Sequence, residues 1–379
     1  MSPDRSSPPS RLWIATALRG GIVLFFLYAF LVGIAFIEAG IAASGEGFQD
    51  RLLQSVSHPL SGLCAGLLAT VLVQSSSVTT STIVGLVGAG TLPVELAIPM
   101  VMGANIGTTV TSTLAALGSL RRVDEFRRAF AAATVHDCFN LMGVAILLPL
   151  EIATGVLGTL ATTLTDVLTG AGFEAGASQP GRFRALVRMP AAWAESLLPS
   201  GAVASVVLLA VGLVCIFIAL TFITKHMRQL VAQGVERAIN DFIGSGGGLS
   251  GIVMGIVVTM AVQSSSITTS ILVPLVAAGI LTVRTAYPVT LGANVGTTIT
   301  ALIASLAVVR PEGLTIALVH LLFNLAALLL VYPVPWVRFL PVKLAEWTAE
   351  LASRRRAFVA VYVVCMFLVL PAFGLFLIG

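Results

Sequence analysis

Residues 74–111 read QSSSVTTSTIVGLVGAGTLPVELAIPMVMGANIGTTVT, and residues 263–300 read QSSSITTSILVPLVAAGILTVRTAYPVTLGANVGTTIT. The two stretches align without a gap and share 23 of 38 residues, at a constant offset of 189 (263 − 74). Each opens on Gln-Ser-Ser-Ser, passes through an apolar stretch and arrives at Gly-Ala-Asn-(Ile/Val)-Gly-Thr-Thr, at Gly103 to Thr109 and Gly292 to Thr298. A lone run of serines in a membrane segment is ordinary helix-packing glue. A second copy with Gln, three Ser, Asn and Thr in the same register is not, because packing tolerates Ala for Ser and would let Gln drift. The four clusters therefore read as one binding site.

The chain around them has 379 residues, 57% of them hydrophobic and 10% charged, with a mean hydropathy of +1.01. Those values exclude a soluble globular domain and fit a polytopic membrane protein. The run 20–42 is long enough to span and too long for a cleaved signal core, so it reads as a retained helix. The net charge of +4 comes from basic residues between apolar segments, where topology accounts for them without nucleic acid. Cys64, Cys138, Cys215 and Cys365 all lie in apolar segments with no C-x-x-C spacing, and read as buried neutral thiols.

Taken in order, residues 1–19 form a mobile cytosolic tail. Repeat 1 covers 20–150: a span, a hairpin 59–90, a broken helix 91–118 and a span 128–150. Residues 151–200 are an external connector with one surface helix. Repeat 2 covers 201–333: a span ending near Lys225, an amphipathic interfacial helix 225–243, a Gly246-Gly247-Gly248 hinge, a hairpin 249–279, a broken helix 283–308 and a span 313–333. Residues 334–379 supply a cytosolic segment and a last span. The apolar pieces 59–73 and 78–90 have only 13 to 15 residues. At 1.5 Å per residue neither crosses about 30 Å of hydrocarbon, so each Gln-Ser-Ser-Ser is expected at the tip of a re-entrant hairpin. Gly103 to Gly107 is expected to interrupt its helix, giving the discontinuous helix used by many transporters. Three crossings separate the hairpins, so the second copy must enter from the opposite face. Lys and Arg collect at 5–19, 121–128, 225–237 and 338–356, all on one face in this arrangement, which makes that face and the N-terminus cytosolic. The expected fold is an all-α polytopic membrane protein with two inverted-topology repeats, each holding a re-entrant hairpin and a discontinuous transmembrane helix.

Polar breaks at membrane depth are tolerated only where they line a cavity inside the protein. Each break also creates a helix N-terminus that favours an anion and a C-terminus that favours a cation. Hydroxyls suit a tetrahedral oxyanion, and hydroxyls, carboxamides and carbonyls suit a hard cation such as sodium. Beyond the repeated core, His136 and Asn140 match His320 and Asn324 in an H-x-x-F-N pattern, offset by 184 (320 − 136). Asp137 is the exception: Leu321 stands at its counterpart, and a carboxylate within a span is a functional candidate by default. His136 and His320 read as hydrogen-bonded structural residues. Glu38, Glu95 and Glu151, near span ends, read as solvated charges.

These motifs, together with EFRRAFAAATVHDCFNLMGVAILLPLE from Glu125 to Glu151, resemble the type II sodium-phosphate cotransporter family over about residues 55–335. The resemblance implies sodium-driven uptake of inorganic phosphate across the plasma membrane. It implies phosphate contacts at Ser75, Ser76, Ser77, Ser264, Ser265 and Ser266, to which the paired Asn105 and Asn294 are added. For sodium it implies Gln263, Thr297 and Thr300, to which Gln74, Thr108, Thr298 and Asn140 are added. Asp137 matches a position that is aspartate in electrogenic members and glycine in the electroneutral one, which implies electrogenic transport with Asp137 helping to bind an additional sodium. The connector has neither Cys nor Asn, so the external disulfide and glycans of animal members are not expected, and the short form resembles a bacterial-type member. No cofactor is implied, sodium being a coupling ion, and the sequence sets no oligomeric state. Rival readings are the same machine carrying arsenate, sulfate or a dicarboxylate, and a passive anion channel. A serine hydrolase built from Ser75, His136 and Asp137 is disfavoured, because adjacent residues on a helix point about 100° apart.

Overall fold

The computed structural model describes residues 9–44, 50, 53–170, 182–199, 201–245, 248–308 and 310–378, and these residues form helices joined by turns. In chain order the helices are α1 (Pro9–Ala42), α2 (Pro59–Val73), α3 (Ser76–Gly88), α4 (Val94–Gly107), α5 (Val110–Ala116), α6 (Val123–Thr154), α7 (Val156–Gly170) and α8 (Arg182–Leu197). They continue as α9 (Ala202–Ser245), α10 (Leu249–Val262), α11 (Ser265–Ala277), α12 (Val283–Ser305), α13 (Glu312–Val331), α14 (Leu340–Arg354) and α15 (Arg356–Ile378). Among the described residues six stretches are long and apolar enough to cross a membrane: Leu18–Ala42, Val94–Ser119, Val123–Thr154, Ala202–Met227, Glu312–Val331 and Arg356–Ile378. The chain is thus an all-helical, polytopic membrane protein. The two helices of each expected hairpin, α2–α3 and α10–α11, are apolar but only 13 to 15 residues long.

Several boundaries differ from the sequence expectation. The tail is helical from Pro9, with residues 1–8 outside the described residues. The segment 225–243 continues α9 instead of starting a new helix, and residues 246 and 247 of the glycine hinge lie outside the described residues. The connector holds two helices, α7 and α8, its centre at 171–181 lying outside the described residues. Glu151 is no idle surface charge: its carboxylate accepts from Leu157 N (2.6 Å) and Gly158 N (3.0 Å) and so caps the start of α7. Glu38 is buried rather than solvated, with Arg188 of α8 3.7 Å away.

The clearest correction concerns the broken helices. In repeat 1 the interruption falls at Thr108–Thr109, where Thr109 N bonds Ile106 O in an i→i−3 step, and not at Gly103 to Gly107. In repeat 2 there is no interruption, since α12 runs unbroken through Gly292 and Gly296. The glycines serve close packing instead. A Cβ at Gly103 would fall on the Leu63 carbonyl and one at Gly66 on the Met100 carbonyl; Gly292 meets Ile252 O and Gly255 meets Val289 O in the same way. Gly66 thus meets the Gly103-x-x-x-Gly107 face and Gly255 the Gly292-x-x-x-Gly296 face, letting α2 lie on α4 and α10 on α12 almost backbone to backbone. Without room for a side chain between them, dispersion and close carbonyl contacts hold these pairs where lipid offers no hydrophobic gain. The polar helix α12 is almost wholly buried, shielded by protein rather than by its own composition.

After the second copy, a turn at Pro335–Arg338 leads to α14, which lays Ala345, Ala349 and Ala352 flat on α6 and pairs Glu350 with Arg127 at 3.2 Å. The last helix, α15, contains a π turn at Cys365–Val369. The four cysteines are free and only partly buried.

Candidate functional site

Each hairpin turns on its glutamine. Gln74 (φ 57°, ψ 26°) and Gln263 (φ 57°, ψ 28°) end α2 and α10 in the left-handed region, and no other described non-glycine residue has positive φ. That conformation costs a residue with a Cβ about 1 kcal/mol or more, and glycine is the usual choice. Glutamine recovers part of the cost by donating its amide to the last turn: Gln74 Nε2 to Val71 O (2.6 Å), Gln263 Nε2 to Met260 O (2.7 Å). The next residue is extended, Ser75 at φ −153° and Ser264 at −157°, and the chain enters α3 and α11. Ser75 Oγ accepts from Val78 N (3.3 Å) as an N-cap, while Ser264 makes no such bond. Thr79 and Thr80, like Thr268 and Thr269, spend their hydroxyls on carbonyls one turn back. The serines and the first N–H groups of α3 and α11 are therefore the donors left at the tips.

Both tips border one cavity of about 250 Å³. Gln74, Ser75, Ser77 and Val78 line it from one side and Gln263 and Ser264 from the other, with Phe217, Leu220, Thr221 and Thr224 of α9 as a further wall. Ser76 and Ser265 are buried beside it, and Ser266 is partly buried. Gln263 also reaches a smaller cavity of about 140 Å³ and accepts a hydrogen bond from Thr300 Oγ1 at 3.0 Å through its Oε1. Of the residues expected to hold sodium, Gln263 and Thr300 are thus in contact. Thr108, Thr297 and Thr298 are buried, with their hydroxyls donated to their own helices.

The asparagines lie elsewhere. Asn294 Oδ1 is 2.7 Å from His136 Nε2, and its amide donates to Asn140 Oδ1 (2.6 Å). In matching fashion Asn105 Nδ2 donates to Asn324 Oδ1 (2.7 Å), with His320 Nε2 3.4 Å from Asn105 Oδ1. Asn140 also donates to Asn105 O (2.8 Å). Each Gly-Ala-Asn asparagine therefore binds the H-x-x-F-N residues of the other repeat, in a fully buried polar lattice joining α4, α6, α12 and α13. Every carboxamide group of the lattice is partnered, although Nδ1 of His136 and of His320 is buried without one, and this cross-bonding fixes the register between the halves. Asn105, Asn140 and Asn294 touch each other rather than the cavity.

Asp137 sits apart from both. It is wholly buried, its Oδ2 accepts from Tyr362 Oη (2.7 Å), and the hydroxyls of Thr109 and Thr113 lie beside it. No Lys or Arg pairs with it among the described residues, and Oδ1 has no hydrogen-bond partner. A buried carboxylate in this state calls for a cation or a proton.

The sequence reading missed the α9 wall, Tyr362, and the placement of Thr109 and Thr113 beside Asp137. The α9 wall and Tyr362 lie outside the two aligned stretches 74–111 and 263–300, so the internal alignment gave no signal for them. The spacing of the glycines at 62/66 recurs at 251/255 with the same offset of 189 (251 − 62), a regularity that could have pointed to packing.

The family model described as Na+/Pi-cotransporter matches residues 29–173 and 205–335, well over half of the chain. Sodium-dependent phosphate transport protein 2A of Ovis aries is 35% identical over 441 aligned residues, which take in 96% of this chain and 68% of that protein. The 2A protein of Rattus norvegicus is 36% identical with the same coverage, and sodium-dependent phosphate transport protein 2B of Homo sapiens is 32% identical over 94% of this chain and 65% of its own length. No solved structure matches the chain.

Proposed function

The chain belongs to the Na+/Pi-cotransporter family, and from that membership we propose how its duplicated core works as a sodium-coupled importer of inorganic phosphate. Three candidate spans, Val94–Ser119, Val123–Thr154 and Ala202–Met227, separate the two helix pairs. An odd number of crossings inverts the second pair relative to the first. The pairs are then re-entrant hairpins entering from opposite faces of the plasma membrane, with the N-terminus cytosolic, and their tips meet near its middle.

The observation that carries the reading is that Ser75, Ser77 and Ser264, from two copies of one motif 189 residues apart (264 − 75), border the same cavity. Two helix N-termini converge there, each offering free N–H groups, partial positive charge and serine hydroxyls to a tetrahedral oxyanion. We assign phosphate to Ser75, Ser76, Ser77 and their counterparts Ser264, Ser265 and Ser266. The Gln263–Thr300 pair, at the edge of the cavity, supplies carbonyl and hydroxyl oxygens suited to sodium. Asp137, with Thr109 and Thr113, supplies a second, charged cation site and makes transport electrogenic. Asn105, Asn140 and Asn294, which the sequence assigned to ions, hold the scaffold instead.

Coupling follows from charge. Phosphate alone in a closing, drying cavity leaves an uncompensated anion, and sodium alone leaves an uncompensated cation. The empty and fully loaded forms alternate between faces while partly loaded forms are held back. The test is uptake of labelled phosphate by proteoliposomes under an inward sodium or potassium gradient. Sodium should drive accumulation, and Ser75→Ala and Ser264→Ala should each raise the half-saturating phosphate concentration about tenfold, as for loss of one hydrogen bond to a charged group. Equal uptake under both gradients would end the coupled reading, and competition by arsenate or sulfate in the same assay ranks the anions.

A further inference from the structure

The last helix lies outside the duplication, and the family match stops at residue 335. It is the least buried of the candidate spans. Yet Tyr362 reaches from it to the most buried carboxylate among the described residues, donating to Asp137 Oδ2 at 2.7 Å. Its ring is fixed edge-on between Phe130 (centroids 5.9 Å apart, planes at 70°) and Phe367 (6.2 Å, 87°). Phe367 is itself fully buried and belongs to the π turn Cys365–Val369, a local change of register of the kind that often marks functional positions.

The carboxylate is held on one side only. Oδ2 is anchored and Oδ1 is buried without a partner, because the neighbouring hydroxyls of Thr109 and Thr113 donate to the carbonyls of Ile106 and Thr109 instead. The terminal torsion of aspartate is broad, so an unanchored carboxyl group would swing and offer a cation no fixed geometry. A hydroxyl that donates to one oxygen removes that freedom and leaves the other oxygen's lone pairs aimed at the turn between α4 and α5.

We infer that Tyr362 is a positioning residue for cation coupling: its hydroxyl pins Oδ2 of Asp137 so that Oδ1 is presented to sodium. This rests on the proposed role of Asp137 in sodium binding, and it brings into the coupling machinery a helix that the repeat does not contain. Nothing equivalent is expected in repeat 2, where Leu321 replaces the carboxylate.

Tyr362→Phe removes the hydroxyl and keeps the ring. In proteoliposomes it should raise the half-saturating sodium concentration about fivefold, while half-saturation by phosphate at saturating sodium stays near the wild-type value. In an Asp137→Asn background the same substitution should change sodium dependence no further. The purified full-length variants give a second readout that needs no transport, the rise in melting temperature on adding sodium chloride in place of choline chloride. Wild type should show the largest rise, Tyr362→Phe a smaller one, and the double variant the same as Asp137→Asn alone. A wild-type sodium response in Tyr362→Phe, or an equal effect of that change with and without the carboxylate, would overturn the inference. Asp137→Asn with an unaltered sodium response would instead remove the assignment of Asp137 on which it stands.

Discussion

The two copies of the core agree at their tips and part company one helix later. Gln74 and Gln263 share φ and differ by 2° in ψ (28 − 26), and the following serines differ by a few degrees. The glycine seams and the crossed asparagine lattice are likewise repeated. By contrast, the helix after the first hairpin loosens at Thr108–Thr109 while its counterpart runs straight through Thr297–Thr298. Asp137 faces the loosened turn, and Leu321 stands where its counterpart would be. Gln263 is tied to Thr300, whereas among the described residues Gln74 hydrogen-bonds only to Val71. On the proposed assignment, the duplicated part serves a ligand approached from both sides, and charge is handled where the copies differ. A two-fold frame has no means by itself of giving one half a different ionic role from the other, so that difference has to be written as exceptions to the repeat.

The comparison can be broken most forcefully at its symmetric part. Gly103→Ala and Gly292→Ala each force a methyl group onto a carbonyl across the seam. Each should cost about 1–3 kcal/mol or more and sharply lower the yield of monodisperse protein in detergent. The two should suffer comparably; one tolerated and the other not would show that the halves do not bear equal loads. Next in size is the charge asymmetry. Asp137→Gly should reduce the charge moved per phosphate by about one, measured as current against tracer uptake, the energetic equivalent of about 2.3 kcal/mol per 100 mV for each charge. An unchanged ratio would mean that the buried carboxylate plays no part in electrogenicity. The smallest effect sharpens the difference between the tips: Thr300→Val should weaken apparent sodium affinity about threefold to tenfold by breaking the bond to Gln263, and Thr111→Val, at the matching place in repeat 1, should change it little. Equal responses would place both glutamines in the same role.

Much of this was legible in the chain because repetition turns weak signals into strong ones. Two identical Gln-Ser-Ser-Ser tips, flanked by helices too short to span, indicated convergence on a common pocket, and the tips border one cavity. Gly-Ala-Asn-x-Gly was misread, since glycine at membrane depth serves equally as a helix breaker and as a packing surface. Only the partner carbonyls of Leu63 and Ile252 decide which. The asparagines show a related ambiguity: a buried carboxamide looks the same in sequence whether it meets a ligand or, as Asn105, Asn140 and Asn294 do in the structure, another residue of the scaffold. The parts of α9 and α15 that reach the sites carry ordinary apolar composition, and their contributions, Thr221, Thr224 and Tyr362, follow from where the helices pack.

The seams have a mechanical corollary. Two helices whose backbones touch through opposed glycines cannot slip a half-turn past one another without driving carbonyl into carbonyl, so α2 is locked to α4 and α10 to α12. A hairpin tip is then not a free flap but the end of a stiff double rod. Under the proposed alternating access, opening the cavity between the tips would shear the rods as units against the third wall, with the surface formed by Phe217, Leu220, Thr221 and Thr224 as the bearing on which they slide.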